Sequence, residues 1–160
     1  VPSCTLMFKQ ELPLLFPHDE EVALVAKAFF DPFEYLFLRH KGNALKTGFT
    51  RELGKVSYQV PCHLRVQNIG LKTRDVLALV PGTEVDAIER CSGHDGTYGV
   101  KRKFREASLK IARPLMRRVE EGGADHFVSD CPMAADQIAG GVDGVTGEHP
   151  ISLLRQAYGI

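Results

Sequence analysis

Three short segments with strand character each end just before a cysteine, and this arrangement constrains the fold more than any other feature of the chain. The segments are rich in β-branched or alternating apolar residues and are bounded by Gly, Pro or polar residues. They are residues 56–60 before Cys62, residues 84–88 before Cys91, and residues 124–129 before Cys131. Three of the four cysteines therefore stand at equivalent points of three expected strands.

Helical patterns separate these segments. Residues 71–80 are expected to form a helix closed by Pro81 and Gly82, and residues 104–119 repeat apolar positions at intervals of three and four. Pro132 is well suited to the first turn of another helix. Strands that alternate with helices predict an α/β fold, with a parallel sheet of βαβ units flanked by helices and the cysteines at the carboxyl edge of the strands.

The chain divides by pattern into two parts. Residues 1–55 are expected to form a mostly helical entry segment, and residues 56–160 a βαβαβα core that carries the site. A length of 160 residues with 44% hydrophobic content suits a single domain over 1–160 that buries an ordinary core. The first residue is Val1 rather than Met, which leads us to expect a piece of a longer protein.

The three cysteines are expected to meet. The carboxyl ends of parallel strands lie along one sheet edge, where ligands bind in open α/β folds. Each of Cys62, Cys91 and Cys131 also precedes a helix or a glycine-rich turn, whose N–H groups favour thiolates. His94 follows Cys91 in a C-x-x-H spacing that lets both side chains reach one tetrahedral metal. Three sulfurs and one imidazole therefore predict a metal site.

Other interpretations of the loop at residues 89–101 remain open at this stage. Asp95 is a harder oxygen ligand than a thiolate site prefers, and His63 is a candidate ligand or outer hydrogen-bond donor. The loop glycines and the following lysine suggest a phosphate cradle, but their spacing matches no nucleotide motif. Cys91 or Cys131 as an activated nucleophile is a further alternative.

Composition excludes some partners and favours a compartment. Twenty basic and twenty acidic residues cancel, so the net charge gives no indication of a nucleic-acid partner. No apolar run approaches the roughly 20 residues that cross a bilayer, and no secretory signal opens the chain. We expect a cytoplasmic protein that does not span the membrane. A position on the cytoplasmic face of a membrane complex is compatible with this expectation.

Four longer stretches carry a resemblance to a known family. The chain is similar to the CCG cysteine-rich domain of Fe–S oxidoreductases, which occurs in one subunit of anaerobic glycerol-3-phosphate dehydrogenase and in one subunit of heterodisulfide reductase. The stretches are VPCHLR (residues 60–65), CSGHDGTYGVK (91–101), EEGGADHFVSDCPMAADQI (120–138) and EHPISLL (148–154). They follow one another in the order that the family shows. Family members usually carry two such repeats, so the resemblance implies that this chain is the carboxyl-terminal repeat of a longer protein.

The resemblance implies a ligand set with two losses. Family members ligate an iron–sulfur cluster, or zinc, with a lone Cys, a Cys-Cys-Gly and a Cys-x-x-Cys. Cys62 takes the first position, Cys91 begins the second motif and Cys131 begins the third. Ser92 and Ala134 stand where the remaining cysteines would be. The motif is therefore degenerate, and a non-cubane cluster with five thiolates is not expected.

Three states of the site follow from this pattern. The first is a mononuclear Zn or Fe held by the three cysteines with His94, the second a smaller iron–sulfur cluster, and the third an empty, vestigial site. Cys4 resembles the end of a preceding Cys-x-x-Cys motif, so we expect it to belong to another site.

The implied function is redox chemistry within a complex. The resemblance suggests an oxidoreductase subunit for electron transfer or thiol–disulfide chemistry rather than a stand-alone enzyme. Its implied partners are the preceding repeat and a flavin dehydrogenase subunit or a rubrerythrin-like iron protein. The alternative is a non-enzymatic interaction domain, with structural zinc or nothing in the site, that docks a partner through the surface around residues 102–118.

Overall fold

The sheet is parallel throughout, as the sequence predicts. The computed structural model describes all 160 residues. Its strands are β1 (Gly54–Gln59), β2 (Thr83–Ile88), β3 (His126–Ser129) and β4 (Gly147–Glu148), in the spatial order β2-β1-β3-β4. Three of these match the expected strands. β4 was not expected, because a strand of two residues is too short to show a period-two pattern.

β1 occupies the centre of the sheet and fixes its register. Val56 is paired with Val85 of β2 on one side and with His126 of β3 on the other. Gln59, the last residue of β1, is paired with Ile88 and Ser129. The carboxyl ends of these three strands are therefore level, which brings the loops that follow them to one edge of the sheet.

Helices occupy most of the remaining chain. They are α1 (Pro2–Leu6), a π-helical turn (Met7–Glu11), α2 (Leu12–Leu15), α3 (Glu20–Ala28), α4 (Pro32–Lys41), α5 (Cys62–Arg65), α6 (Lys72–Leu77), a 3₁₀ turn (Arg102–Phe104), α7 (Arg105–Gly122), α8 (Pro132–Ala139) and α9 (Pro150–Ala157). None of them combines the length and apolar character needed to span a bilayer.

Local signals explain where several helices begin and end. The Asp19 carboxylate accepts hydrogen bonds from two backbone N–H groups at the start of α3, and Asp31 forms a capping box with Glu34 at the start of α4. α7 ends at Gly123, which adopts the left-handed conformation typical of a helix end. Such caps satisfy backbone groups that the helix itself leaves unpaired.

The two faces of the sheet carry separate apolar clusters. Alternate residues of β1, namely Val56 and Tyr58, pack with side chains of α4, α6 and α9. On the other face, Phe127 of β3 packs with Leu115 of α7 and Ile138 of α8. The sheet is therefore covered on both sides, and its exposed carboxyl edge is the place left for a site.

Candidate functional site

One cavity lies at the carboxyl edge of the sheet. It has a volume of about 290 Å³, and its lining includes Cys62, Cys91, Cys131 and His94. Cys62 and Cys91 are exposed and Cys131 is half-buried, and none of the three is in a disulfide. The four residues that the sequence singled out therefore share one cavity. Their role as ligands remains a prediction.

The end of a strand and the start of a helix position two of the three thiols, those of Cys62 and Cys131. Cys62 is the first residue of α5 and follows Pro61, which precedes that helix. Cys131 precedes Pro132 at the start of α8, and its backbone carbonyl accepts hydrogen bonds from Ala134 and Ala135. Each of these two cysteines therefore stands where a strand has ended and a helix begins, at the carboxyl edge of the sheet.

His94 is held between a serine and a cysteine. Its Nδ1 atom lies 3.2 Å from Ser92 Oγ, and its Nε2 atom lies 4.0 Å from Cys131 Sγ. Burial lowers the pKa of His94, while the nearby Asp95 carboxylate acts in the opposite direction. The neutral imidazole is therefore favoured, and this is the form that accepts a proton or binds a metal. The sequence indicated no residue that would orient this ring, and Ser92 supplies that contact.

A buried glutamine joins the three strand ends. The side-chain amide of Gln59 donates to the carbonyls of Val60 at 2.9 Å and Arg90 at 3.1 Å. Its oxygen accepts a hydrogen bond of 2.7 Å from Ser129 Oγ, which in turn accepts from the Cys131 N–H at 3.2 Å. A single side chain therefore connects the ends of β1, β2 and β3 beneath the cavity. Period-two patterning places Gln59 in a strand but gives no sign of this role.

The loop after β2 is fastened to α7 and α8. Ser108 Oγ donates to the Gly93 carbonyl at 2.7 Å, and Gln137 Nε2 donates to the Ser92 carbonyl at 2.9 Å. Gly93 has a φ of +77°, and an added Cβ would stand 2.2 Å from the Ser108 carbonyl oxygen. Only glycine permits this close approach of two backbones. The loop is thus held tightly against the two helices.

Two of the three glycines that suggested a phosphate cradle have N–H groups bound within the loop. The Gly93 N–H donates to Cys91 Sγ at 3.3 Å, and the Gly99 N–H donates to the His94 carbonyl at 2.7 Å. Both groups already have partners inside the loop, so they are not available to an anion. These two contacts leave fewer free N–H groups than a phosphate cradle would need, and the one from Gly93 is made to a thiol of the cavity.

A buried acid lies directly before Cys131. Asp130 accepts hydrogen bonds from Tyr58 at 2.6 Å and from Thr73 at 3.0 Å. Burial raises its pKa to about 6, although both hydrogen bonds act to lower it. The three side chains come from β1, α6 and the end of β3. No sequence pattern indicated this cluster, because its members lie up to 72 positions apart.

The remaining candidates occupy different places. His63 and Asp95 line the cavity, whereas Cys4 lies in α1 and is not part of the lining. Ala134 lines the cavity and Ser92 is buried within it. No three His, Cys, Asp or Glu side chains are already arranged to hold a metal ion.

The donor set fits some metal centres and not others. Three sulfurs and one imidazole nitrogen are soft and borderline ligands that suit a tetrahedral Zn or Fe, or a small iron–sulfur centre. The cavity offers three thiols, so five thiolates are not present for a non-cubane cluster. Cys62 and Cys91 are both exposed and line the same cavity as His94 and Cys131.

Comparisons with known proteins identify the family of this chain. The family model described as "Cysteine-rich domain" (CCG) matches residues 56–137. This range includes the three cavity cysteines and His94. Two curated relatives, from Escherichia coli strain K12 and E. coli O157:H7, are each named as the C-subunit of anaerobic glycerol-3-phosphate dehydrogenase. Each is 35% identical over 97% of this chain, and the chain spans 38% of the length of each relative. Because the family match covers more than half of its residues, the chain belongs to the CCG cysteine-rich domain family.

Proposed function

We propose that this chain is an electron-transfer component of an oxidoreductase complex, in which Cys62, Cys91, Cys131 and His94 hold a metal ion or a small iron–sulfur centre. The relatives are named as one subunit of a dehydrogenase, which supports a role beside a catalytic subunit rather than alone. The proposed partner is a flavin-containing dehydrogenase subunit, and the proposed compartment is the cytoplasm or its membrane face.

The contact between His94 and Cys131 carries this proposal. Two ligands of one tetrahedral metal, with bonds of about 2.0–2.3 Å, stand about 3.6 Å apart. The Nε2 and Sγ atoms are 4.0 Å apart, so this pair needs only a small adjustment to share a metal. Ser92 contacts the other nitrogen of the ring, as the outer partners of metal-bound histidines do. A serine in a former cysteine position thus supports the imidazole that replaces the missing sulfur.

A bound centre would supply a one-electron relay if it contains iron, and a structural cross-link if it is zinc. The protein contributes the environment of the thiolates. The Gly93 N–H donates to Cys91 Sγ, and hydrogen bonds of this kind stabilise negative charge on sulfur and raise the reduction potential of an iron–sulfur site. The helix start at Cys131 acts in the same direction.

Thiol–disulfide chemistry is the second candidate, and the same contact favours it. The neutral imidazole of His94 can accept the proton of Cys131, which leaves a thiolate facing a cavity that holds two further thiols. Attack of this thiolate on a disulfide substrate would form a mixed disulfide and release one substrate thiolate, which takes the imidazole proton. Attack of a second cavity thiolate on Cys131 Sγ would then form a protein disulfide and release the other substrate thiolate, so that the substrate is reduced and the cysteine pair is oxidised.

Metal analysis and absorption spectra of anaerobically purified protein test the proposal. We expect iron with absorption between about 300 and 450 nm, and a loss of the metal in Cys91→Ala. Cys4→Ala is the matched control, because it removes a thiol outside the cavity and should leave the metal content unchanged. His94→Ala should weaken metal binding by at least about tenfold, as the loss of a ligand or of its support does.

Other outcomes separate the alternatives. Colourless protein with one zinc per chain would favour the structural interaction domain, and so would metal-free protein whose cavity thiols do not react with disulfides. Metal-free protein in which Cys131 reacts selectively with a small disulfide would favour thiol–disulfide chemistry. Full metal content in His94→Ala would remove the imidazole from the ligand set.

A further inference from the structure

The zero net charge of the chain conceals a strong separation of charge. Residues 101–118, which we call the basic strip, contain eight of the 20 lysines and arginines and only one of the 20 acidic residues. The rest of the chain therefore carries twelve basic and nineteen acidic residues. The strip comprises the 3₁₀ turn and most of α7, and all of its basic residues are exposed.

The basic strip is almost free of internal ion pairs. Arg118 contacts Asp86 at 3.1 Å, and it is the one residue of the strip that takes part in a salt bridge. The other seven cations have no acidic partner in the protein. A solvated helix face that serves only solubility usually mixes both signs, as in i,i+4 pairs of Glu and Lys. A surface of one sign instead produces a field that attracts the opposite charge.

The strip borders the cysteine cavity. Ile111 of α7 lines the cavity and is 48% exposed. Tyr98, another lining residue, stacks on Phe104 of the 3₁₀ turn with ring centroids 4.7 Å apart, and the Lys103 ammonium lies 5.5 Å from the Phe104 centroid. Val100, in the same loop, is 66% exposed. Ile111 and the aromatic stack of Tyr98 on Phe104 thus connect the cavity lining to the strip, and the Lys103 ammonium lies beside that stack.

This combination is typical of a docking surface. Protein interfaces have an apolar centre and a polar or charged rim, and charges on the rim guide the partner into position. Building on the proposed electron-transfer function, we propose that the basic strip docks a protein of the acidic electron-carrier class over the mouth of the cysteine cavity. The carboxylates of that protein would face the cations of the strip, and its apolar contact area would cover Val100 and Ile111.

Calorimetric titration tests this docking with an oxidised [2Fe–2S] ferredoxin of net negative charge as the probe. We expect binding at about 20 mM NaCl that weakens at least about tenfold at about 300 mM. The double variant Arg102→Glu/Lys103→Glu, in the 3₁₀ turn that stacks on the cavity residue Tyr98, should weaken binding at low salt by about tenfold or more. Its matched control is Lys27→Glu/Lys46→Glu, which makes the same change in net charge at exposed positions outside the strip and should change binding by less than about twofold.

Three results would overturn the docking proposal. The first is an equal loss of ferredoxin affinity in the two double variants, and the second is the absence of ferredoxin binding at low salt. The third is binding of a short DNA duplex that is as tight as, or tighter than, binding of the ferredoxin. The last result would assign the strip to nucleic acid. Binding is measured independently of metal content, so the two proposals fail separately. Protein that holds iron but does not bind the carrier contradicts docking alone, and protein that binds the carrier without metal or reactive thiols contradicts the redox role alone.

Discussion

Replacing Gln59 by leucine is expected to loosen all three cysteine loops at once. The substitution removes three hydrogen bonds, those to the carbonyls of Val60 and Arg90 and the one from Ser129. Gln59 is only 1% exposed, so its partners lose their contacts in a buried setting. At about 1 kcal/mol each, the lost hydrogen bonds cost about 3 kcal/mol. Burial of the more apolar leucine side chain offsets about 1 kcal/mol of this loss.

The expected net loss is therefore about 2 kcal/mol of unfolding free energy, or roughly 4–8 °C in the melting temperature of a chain of this size. Urea unfolding measures the stability, and the alkylation rates of Cys91 and Cys131 measure the mobility of the loops. Alkylation should become several-fold faster in Gln59→Leu under native conditions. Unchanged stability together with unchanged alkylation would refute the role that we assign to this side chain.

A matched control separates this role from the general cost of removing a glutamine. Gln156 is half-buried in α9 and donates one hydrogen bond, of 3.1 Å, to Glu148. Gln156→Leu should cost no more than about 1 kcal/mol. It should leave the alkylation rates of the cavity thiols unchanged, since Gln156 does not line the cavity.

Three further predictions follow from the site. Stability should fall by up to about 3 kcal/mol as the pH rises from about 4 to above 6, and Asp130→Asn should remove this dependence in urea unfolding. Gly93→Ala should destabilise the protein by at least about 1 kcal/mol in thermal unfolding and weaken metal binding, because the added Cβ meets the Ser108 carbonyl. The double variant Ser92→Cys/Ala134→Cys should increase iron content and visible absorption after anaerobic reconstitution, because it completes the thiolate set that the family resemblance implies.

The sign of the pH effect follows from the proton held by the folded state. The pKa of Asp130 is raised to about 6 in the folded protein, against about 3.9 for an unfolded aspartate. Between these values the folded state binds more protons than the unfolded state, so stability decreases as pH rises. The amide in Asp130→Asn is neutral at every pH, so an equal slope in this variant would assign the effect to another group.

Wild-type metal content in Gly93→Ala would contradict the close-approach argument, and an unchanged spectrum in the double cysteine variant would contradict the thiolate argument.

The sequence was sufficient for the α/β class and for expecting three cysteines at one edge of the sheet. Residues 56–60, 84–88 and 124–129 carry local strand signals, and the helical patterns between them require crossovers that leave the strands parallel. The alignment of their carboxyl ends then follows from sheet geometry. The three cysteines that follow these strands could be assigned to one edge on this basis, and the structure places all three in one cavity. β4 escaped prediction because two residues carry no period.

The charge of the chain shows where sequence reasoning fell short. The balance of acidic and basic residues gave no reason to expect a charged partner, although the surface around residues 102–118 was already a candidate for docking in the alternative function. The concentration of cations in residues 101–118 is visible in the sequence, but only the structure shows that seven of them lack ion pairs and that the strip borders the cavity. A net charge is a sum over the chain, whereas a docking partner responds to the local field.

The sequence by itself determined which residues reach the carboxyl edge, because strand and helix patterns are local and parallel strands must share one direction. Only the tertiary structure decided how those residues contact one another. His94 meets Cys131 across 37 positions, Gln59 meets Ser129 across 70, and Tyr58 meets Asp130 across 72. Such contacts depend on side-chain packing between distant segments, and no local periodicity encodes them.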